Sequence, residues 1–316
     1  MAGTRRLEEL IEVVSAKSNF PRAPLLLALS GGPDSAAMSF LATRVSESVR
    51  AVHVNHGTTH AHGLEEAARA IAETLGVDLR VVPVELTGAE FTEEAAREAR
   101  YGALRSIQSA DEWIVTGHTI DDQAETVLFN LIRGGGLAGV SGIPETTAER
   151  IARPLIGVTR GELRELAVLA SLPFADDPSN LDPVHARNRI RHEVIPMLQA
   201  GFNPRLVAAL ARTAAAARAD DDYLQELASE MPVTLDESIS TIPRSVILVA
   251  PRPLADRALR MLVTNLRPPH PPTRAELSRI WEVVEGEAQR AQLEGGVSVE
   301  MSRGVLRLAR AADTDG

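Results

Sequence analysis

Leu25-Leu-Leu-Ala-Leu-Ser30-Gly31-Gly32-Pro33-Asp34-Ser35-Ala-Ala-Met-Ser-Phe-Leu-Ala-Thr-Arg-Val45 is the stretch on which the fold turns. The apolar run Leu25–Leu29 is too short for a helix and suits a parallel strand buried on both faces. Ser30–Ser35 reads as a turn. Ala36–Val45 then reads as a helix, with Asp34 or Ser35 expected to cap it. Glycines let backbone N–H groups approach an anion without a Cβ in the way. A helix N-terminus favours negative charge. Strand, glycine turn and helix together therefore read as a phosphate loop, with Ser30 and Ser35 as hydroxyl donors. Asp34 would repel a bare phosphate, so its presence predicts Mg²⁺ between the two. The loop is not a Walker A motif, which needs a lysine within it. Lys17, the only lysine, lies upstream.

Outward from this loop the pattern repeats. Arg50–Val54 reads as a second strand ending in Asn55-His56-Gly57. Gly63–Leu75 reads as a helix stopped by Gly76. Leu79–Val84 is a third strand, and Thr92 is the expected N-cap of a long helix. Trp113–Thr116 is a fourth strand, and Asp121–Ile132 a helix broken by Gly134-Gly-Gly136. A fifth strand is expected near Ile151–Pro154. Strands alternating with helices predict an α/β fold with a mainly parallel sheet. Right-handed crossovers place Ser30–Ser35 and Gly117–Asp122 at the carboxyl edge of that sheet, where ligands bind in open α/β folds. Beyond Arg160 the pattern turns helical, with a long Ala-rich helix over Pro204–Leu227. A second unit then follows. It has helices near Leu254–Leu266 and Arg274–Glu287, and a hairpin of Val297–Met301 with Val305–Leu308.

Composition limits the function. The 316 residues suit two domains. With no cysteine, disulfides, thiolate zinc sites, iron–sulfur clusters and cysteine nucleophiles are excluded. No apolar run approaches the roughly 20 residues of a membrane span, and Arg5-Arg6 is followed by no signal-peptide core. A cytoplasmic protein without membrane contact is expected. The formal net charge of -10 argues against indiscriminate nucleic-acid binding. Yet His185–Arg218 holds six arginines (187, 189, 191, 205, 212 and 218) against Glu193 as its one acid. Arginine's planar fork suits phosphate.

A second motif stands at the end of the fourth strand: Thr116-Gly117-His118-Thr-Ile-Asp121-Asp122-Gln-Ala-Glu125-Thr126. Asp122, Glu125 and Phe129 are spaced so that both carboxylates share a helix face. Such a pair can hold Mg²⁺, bind an ammonium, or take a proton from an amine nucleophile. First-turn acids also complement the helix dipole, which accounts for Asp121. His53 and His56 would face opposite sides of a strand with no third ligand, which argues against zinc. A loop contacting ATP is their functional reading.

Ser30-Gly-Gly-x-Asp-Ser35 resembles the signature of the ATP-pyrophosphatase superfamily, whose members cleave ATP between the α- and β-phosphates and adenylate a substrate oxygen. Further motifs resemble the tRNA(Ile)-lysidine synthetases. His53–Gly57 resembles their H-x-N-H-G element, and Glu93–Tyr101 an acidic helix ending A-R-x-x-R-Y, which gives Arg97 and Arg100. Gly117–Thr126 resembles G-H-x-x-D-D-Q-x-E-T. Arg133–Gly142 resembles a glycine-rich loop, with Val140 in place of Leu. Arg153-Pro-Leu155 and Arg160-Gly-Glu162 match shorter elements. Asp177-Pro-Ser-Asn180 with Arg187-Asn188-Arg189-Ile-Arg191 resembles D-x-S-N…R-N-R-I-R. Val184-His185 departs from the pattern, where an aromatic residue is usual. The match runs from about Leu25 to Pro204; the second unit resembles the family's substrate domain only weakly.

The resemblance implies an ATP-pyrophosphatase (adenine nucleotide alpha hydrolase-like) domain over residues 1–215, then a helical linker and a small α+β domain for tRNA over 216–316. It implies ligation of L-lysine to C2 of the wobble cytidine in the CAU anticodon of tRNA(Ile), through an adenylated cytidine. Ser30, Gly31, Gly32, Asp34 and Ser35 would bind ATP with Mg²⁺ on Asp34, alongside His53, His56, Gly117 and His118. Asp122 and Glu125 would hold lysine and deprotonate it; which of them is the base is left open. Arg97 or Arg100 would orient a carboxylate or phosphate. Arg133, Arg187, Asn188, Arg189 and Arg191 would contact tRNA. Alternating arginines do not share one helix face, so part of the last group is expected to be structural. A homodimer is among the expected partners. Two other readings stay open: another ATP-pyrophosphatase acting on RNA or a small amide, and a tRNA-binding protein without catalysis.

Overall fold

Leu25, Leu26 and Leu27 have no exposed surface at all, because their strand lies between two cores. In a computed structural model that describes residues 2–55, 57, 61–84, 93–268 and 270–310, β1 (Leu25–Ala28) is the centre of a five-stranded sheet. Its neighbours are β2 (Val49–Asn55), β3 (Asp78–Pro83), β4 (Trp113–Val115) and β5 (Ile151–Ala152), in the order β3-β2-β1-β4-β5. Every pairing is parallel; Leu25 lies opposite both Val49 and Trp113. Successive strand residues face opposite sides. Leu25 and Leu27 accordingly enter one core with Val14, Ala36, Met38 and Leu166, from α1 (Ala2–Ala16), α2 (Pro33–Val45) and α7 (Arg160–Leu169). Leu26 enters the other with Val52, Tyr101, Leu104 and Ile114, under α4 (Glu93–Ile107). Each such leucine contributes about 1.5–3 kcal/mol by leaving water.

This order has a switch point. From β1 the chain builds outward to β2 and β3 on one side, then crosses to β4 and β5 on the other. The crevice between the carboxyl ends of β1 and β4 is where such sheets bind ligands. Three helices complete the surroundings: α3 (Ala61–Leu75), α5 (Ile120–Ile132) and a short α6 (Gly136–Val140) in the glycine-rich loop. Next come α8 (Ala186–Arg189), a π-turn (Ile190–Val194), α9 (Ile195–Gly201) and the long α10 (Leu206–Ser229).

The chain divides into two compact units, Met1–Arg218 and Ala219–Gly316, with the division inside α10. The second unit is an antiparallel sheet of β6 (Thr234–Leu235), β7 (Ile239–Pro243), β8 (Arg290–Gln292), β9 (Val297–Ser302) and β10 (Val305–Arg310), ordered β6-β7-β10-β9-β8. With it come α11 (Arg244–Val249), α12 (Arg252–Leu266) and α13 (Arg274–Glu285). The hairpin of β9 and β10 turns at Arg303-Gly304, as the sequence predicts. The three short strands and α11 were not expected. Buried Glu276 pins this unit. Burial pushes its carboxyl up, but Arg267 and the backbone N–H groups of Thr273 and Glu294 outweigh that and hold it down at about 2.

One local expectation is corrected. Neither Asp34 nor Ser35 caps α2. Gly32 is the N-cap and Pro33 opens the helix, where its missing N–H costs nothing. Asp34 and Ser35 therefore sit in the first turn. Thr92 and His56 lie outside the described residues. No helix among the described residues is long and apolar enough to cross a membrane.

Candidate active site

The phosphate loop is held from both ends. Gly31 has φ +90°, and a Cβ there would stand 2.1 Å from the Leu64 carbonyl oxygen on α3. Only glycine fits, for packing as well as for backbone conformation. Gly32 is different: an added Cβ would meet nothing closer than 3.6 Å. Ser30 Oγ donates to Ser35 Oγ at 3.0 Å, and Ser35 Oγ to the Gly32 carbonyl at 2.9 Å. The two serines thus fix the loop's shape, and Ser30 remains exposed.

The second motif abuts the first. A Cβ on Gly117 would lie 3.3 Å from the Asp34 carbonyl oxygen, so the turn after β4 rests on the start of α2. His118 Nδ1 is 2.8 Å from Thr116 Oγ1. Loss of solvent drives its pKa down to about 3, with Arg153, Arg100 and Arg97 adding to the effect against the pull of Asp122. The ring is neutral at physiological pH. His53 Nδ1 sits 2.9 Å from the Leu29 carbonyl oxygen, and burial lowers its pKa too.

Thr119 caps α5 in a capping box with Asp122. One Asp122 oxygen accepts from Thr119 N and from Thr119 Oγ1, each at 2.7 Å. The other faces two arginines. Arg160 Nη2 is 2.7 Å from Asp122 Oδ1, and Arg191 Nη2 is 3.5 Å from it. Glu125, 4% exposed, receives Arg160 Nη1 at 3.2 Å and Arg191 Nε at 2.7 Å. Burial pushes Asp122 up, yet Arg160 and the Thr119 hydrogen bonds overcome it and hold its carboxyl below the usual value. Arg160 Nε also lies 3.5 Å from Asp34 Oδ2. The two motifs therefore converge on one guanidinium.

Asp34 differs from the α5 acids. Burial raises its pKa to about 7 against the pull of Arg160. Its Oδ1 is buried without any hydrogen-bond partner. A buried carboxylate oxygen left without a donor beside a phosphate loop suits a hard cation, and Mg²⁺ takes one or two carboxylates plus phosphate oxygens and waters. The residues present fit Mg²⁺ in that arrangement. No cluster of three or more metal-ligating side chains occurs among the described residues.

The remaining expected residues fall into two groups around this centre. Arg97 and Arg100 lie 5.1 and 5.7 Å from the centre of the Tyr101 ring, and Arg153, 3% exposed, reaches the Tyr101 hydroxyl at 3.4 Å. Burial raises the Tyr101 pKa, but these arginines outweigh it and bring it down. Arg133 and Arg187 flank Phe129 at 5.0 and 5.7 Å. Asn188 Nδ2 donates to the Ser179 and Asp182 carbonyl oxygens and shapes the preceding loop. Pro183, Asn188, Arg189, His192 and Glu193 line a pocket of about 290 Å³. Arg191 is turned inward onto Glu125, away from this outer pocket. The π-turn that carries it, with the start of α9, docks through Ile190 and Ile195 on Ala124 and Leu128 of α5.

Arg160 was not among the expected site residues. A signal was present: Thr159 and Glu162 form a capping box, which makes Arg160 the first residue of α7. A cation is unfavourable at that end of a helix unless acids compensate it. Asp121 also does more than complement a dipole, since its Oδ2 accepts the backbone N–H of Arg160 at 2.8 Å.

A glycine loop closed by paired serines at the switch point of a parallel sheet marks one class of protein. The PP-loop domain family matches residues 4–198, and the first unit is a PP-loop domain. A tRNA(Ile)-lysidine synthase of Pseudomonas aeruginosa is 39% identical over 212 residues, 64% of this chain and 48% of that protein. Its counterpart in Streptomyces coelicolor is 37% identical over 256 residues, 76% of this chain and 71% of that one. The chain belongs to the tRNA(Ile)-lysidine synthase family. It spans about half the length of the Pseudomonas relatives it matches. The solved structure of a U34-tRNA thiolase from Methanococcus maripaludis, with its iron–sulfur cluster, shares the fold with TM-score 0.52 at 20% identity, over 66% of this chain and 77% of that one.

Proposed function

We propose that the protein ligates L-lysine to C2 of the wobble cytidine in the CAU anticodon of tRNA(Ile), consuming ATP and releasing AMP and diphosphate. The observation that carries this reading is the meeting of Asp34, Asp122 and Glu125 at the β1–β4 crevice, beside the phosphate loop. Adenylation needs a phosphate cradle and a cation site; displacement by an amine needs acids a few ångströms away. Both are present.

The loop Ser30–Ser35 binds the pyrophosphate through its backbone N–H groups and Ser30 Oγ. Asp34, whose Oδ1 is buried without a partner, would hold Mg²⁺. When bound, the metal neutralises charge developing on the phosphates. His118, neutral, and Gly117 line the nucleotide side. The C2 oxygen of cytidine takes the adenylyl group, and the lysine ε-amine then attacks C2 and expels AMP. A free ε-ammonium has a pKa near 10.4, so it must lose a proton to react. Either acid of the α5 pair can accept that proton once its arginine partners give way: Asp122 is engaged by Thr119 and Arg160, and Glu125 by Arg160 and Arg191. Arg97 and Arg100 form a cationic rim for the tRNA strand, with Arg133, Arg187 and Arg189 beyond it.

The test supplies purified protein with Mg²⁺, ATP, radiolabelled lysine and a tRNA(Ile) transcript bearing CAU. The expected result is ATP-dependent acid-precipitable label that disappears with a UAU anticodon. ATP consumption without labelling would move the substrate elsewhere within the PP-loop enzymes. Absence of any ATP–diphosphate exchange would favour a tRNA-binding protein without catalysis.

A further inference from the structure

Arg160 occupies the place where an incoming ammonium should sit. Its three nitrogens reach three acids on two elements: Asp122 at 2.7 Å, Glu125 at 3.2 Å and Asp34 at 3.5 Å. Arg191 covers Glu125 as well, with Nε and Nη2 at 2.7 and 3.0 Å. The other Asp122 oxygen is taken by Thr119. The two guanidinium groups balance Asp122 and Glu125, and Asp34, its carboxyl raised by burial to about 7, adds at most one negative charge. An arriving ammonium therefore has to displace one guanidinium before it finds open acceptors.

The two arginines are not equally held. Arg191 grips Glu125 with two nitrogens and rides on a π-turn packed against α5 through Ile190, with Ile195 of α9 beside it. Arg160 gives one nitrogen to each acid, and its third arm points at the acid facing the phosphate loop. A divalent cation on Asp34 would repel a guanidinium at this distance. Triphosphate oxygens would offer that guanidinium charge-assisted hydrogen bonds in exchange.

We infer that Arg160 is a positioning residue that couples the two small substrates: in the nucleotide-free protein it fills the ammonium subsite on Asp122 and Glu125, and nucleotide with Mg²⁺ draws it away. The amine then binds after the nucleotide. This rests on the lysine-ligation reading and adds an order to it. The coupling is reciprocal, so lysine tightens nucleotide binding by the same factor.

The test is calorimetric titration of L-lysine into the full chain, alone and saturated with Mg²⁺ and α,β-methylene-ATP. In the wild type the analogue should tighten lysine binding by about 5- to 150-fold, the usual span of such coupling. In Arg160→Gln lysine should bind without nucleotide, and the ratio should fall to about one. Arg160→Lys keeps a cation among the acids should the neutral variant misfold. One ammonium cannot span three carboxylates, so its ratio must lie below the wild-type value. A wild-type ratio of one, or an unchanged ratio in the folded variants, overturns the coupling while leaving lysine as the substrate. Lysine that never binds, although the analogue does, overturns the lysine reading and the coupling together.

Discussion

Asp34 holds a buried acid whose pKa of about 7 stands well above the unfolded value of 3.8. Between those values the folded state binds the extra proton. Stability of the ligand-free protein therefore falls as pH climbs from about 4 to 7, by on the order of 1–3 kcal/mol for a partly exposed group. Asp34→Asn removes that penalty. Scanning calorimetry without ligands should give the variant a higher Tm than wild type at pH 8 and an equal one at pH 4. An equal shift at both would refute the assignment. The same variant should lose Mg²⁺-dependent nucleotide binding. Gly31 and Gly32, adjacent in sequence, part company in the same kind of measurement. Gly31→Ala drives a Cβ into the Leu64 carbonyl at positive φ and should cost at least about 2 kcal/mol. Gly32→Ala meets only ordinary contacts, so its Tm should match wild type while its nucleotide affinity drops.

The start of α5 shows how an element serves chemistry. Thr119 is fully buried, and its hydroxyl both accepts from Asp122 N and donates to Asp122 Oδ2. Thr119→Val keeps the shape and removes both bonds. Urea denaturation should report a loss of about 1 kcal/mol, typical of a cap. Steady-state kinetics should show KM for lysine rising more than KM for ATP, because Asp122 is freed to turn. Much of this unit was legible in sequence because each strand and helix carries its own local signals. Leu25–Leu29 can only be a buried strand, and Asp122 with Glu125 shares a face by spacing alone. In the second unit β6, β7 and β8 run two to five residues, too short for alternation to register. β7 and β8 exist because the β9–β10 hairpin offers them edges to pair with, and β6 pairs in turn with β7. The inward aim of Arg191 was not legible for a related reason. Helical spacing sets it off Arg187 and Arg189, but the π-turn alters the register and aims it at Glu125.

At the level of the whole molecule, the proposed function asks an acidic chain to bind an acidic polymer. The arginines of residues 185–218 give it a local exception to its net charge of -10. If Arg189 neutralises one tRNA phosphate, Arg189→Ala should reduce the slope of log affinity against log salt by about one in filter-binding assays. An unchanged slope would remove that contact. The two units have separate cores, one around β1 and one around α12 and α13. Denaturant melts should accordingly resolve two transitions, and α,β-methylene-ATP with Mg²⁺ should raise only one of them. The arginines that neutralise the site also set a timetable for synthesis. Relative to Asp122, Arg160 enters the chain 38 residues later and Arg191 69 residues later. A chain emerging from the ribosome thus makes its phosphate loop and its acids long before their counter-charges. Until Arg160 and then Arg191 have joined them, the acids of the crevice lack counter-charges and resist its closure. The nascent protein is expected to remain unable to spend ATP until translation has passed Arg191.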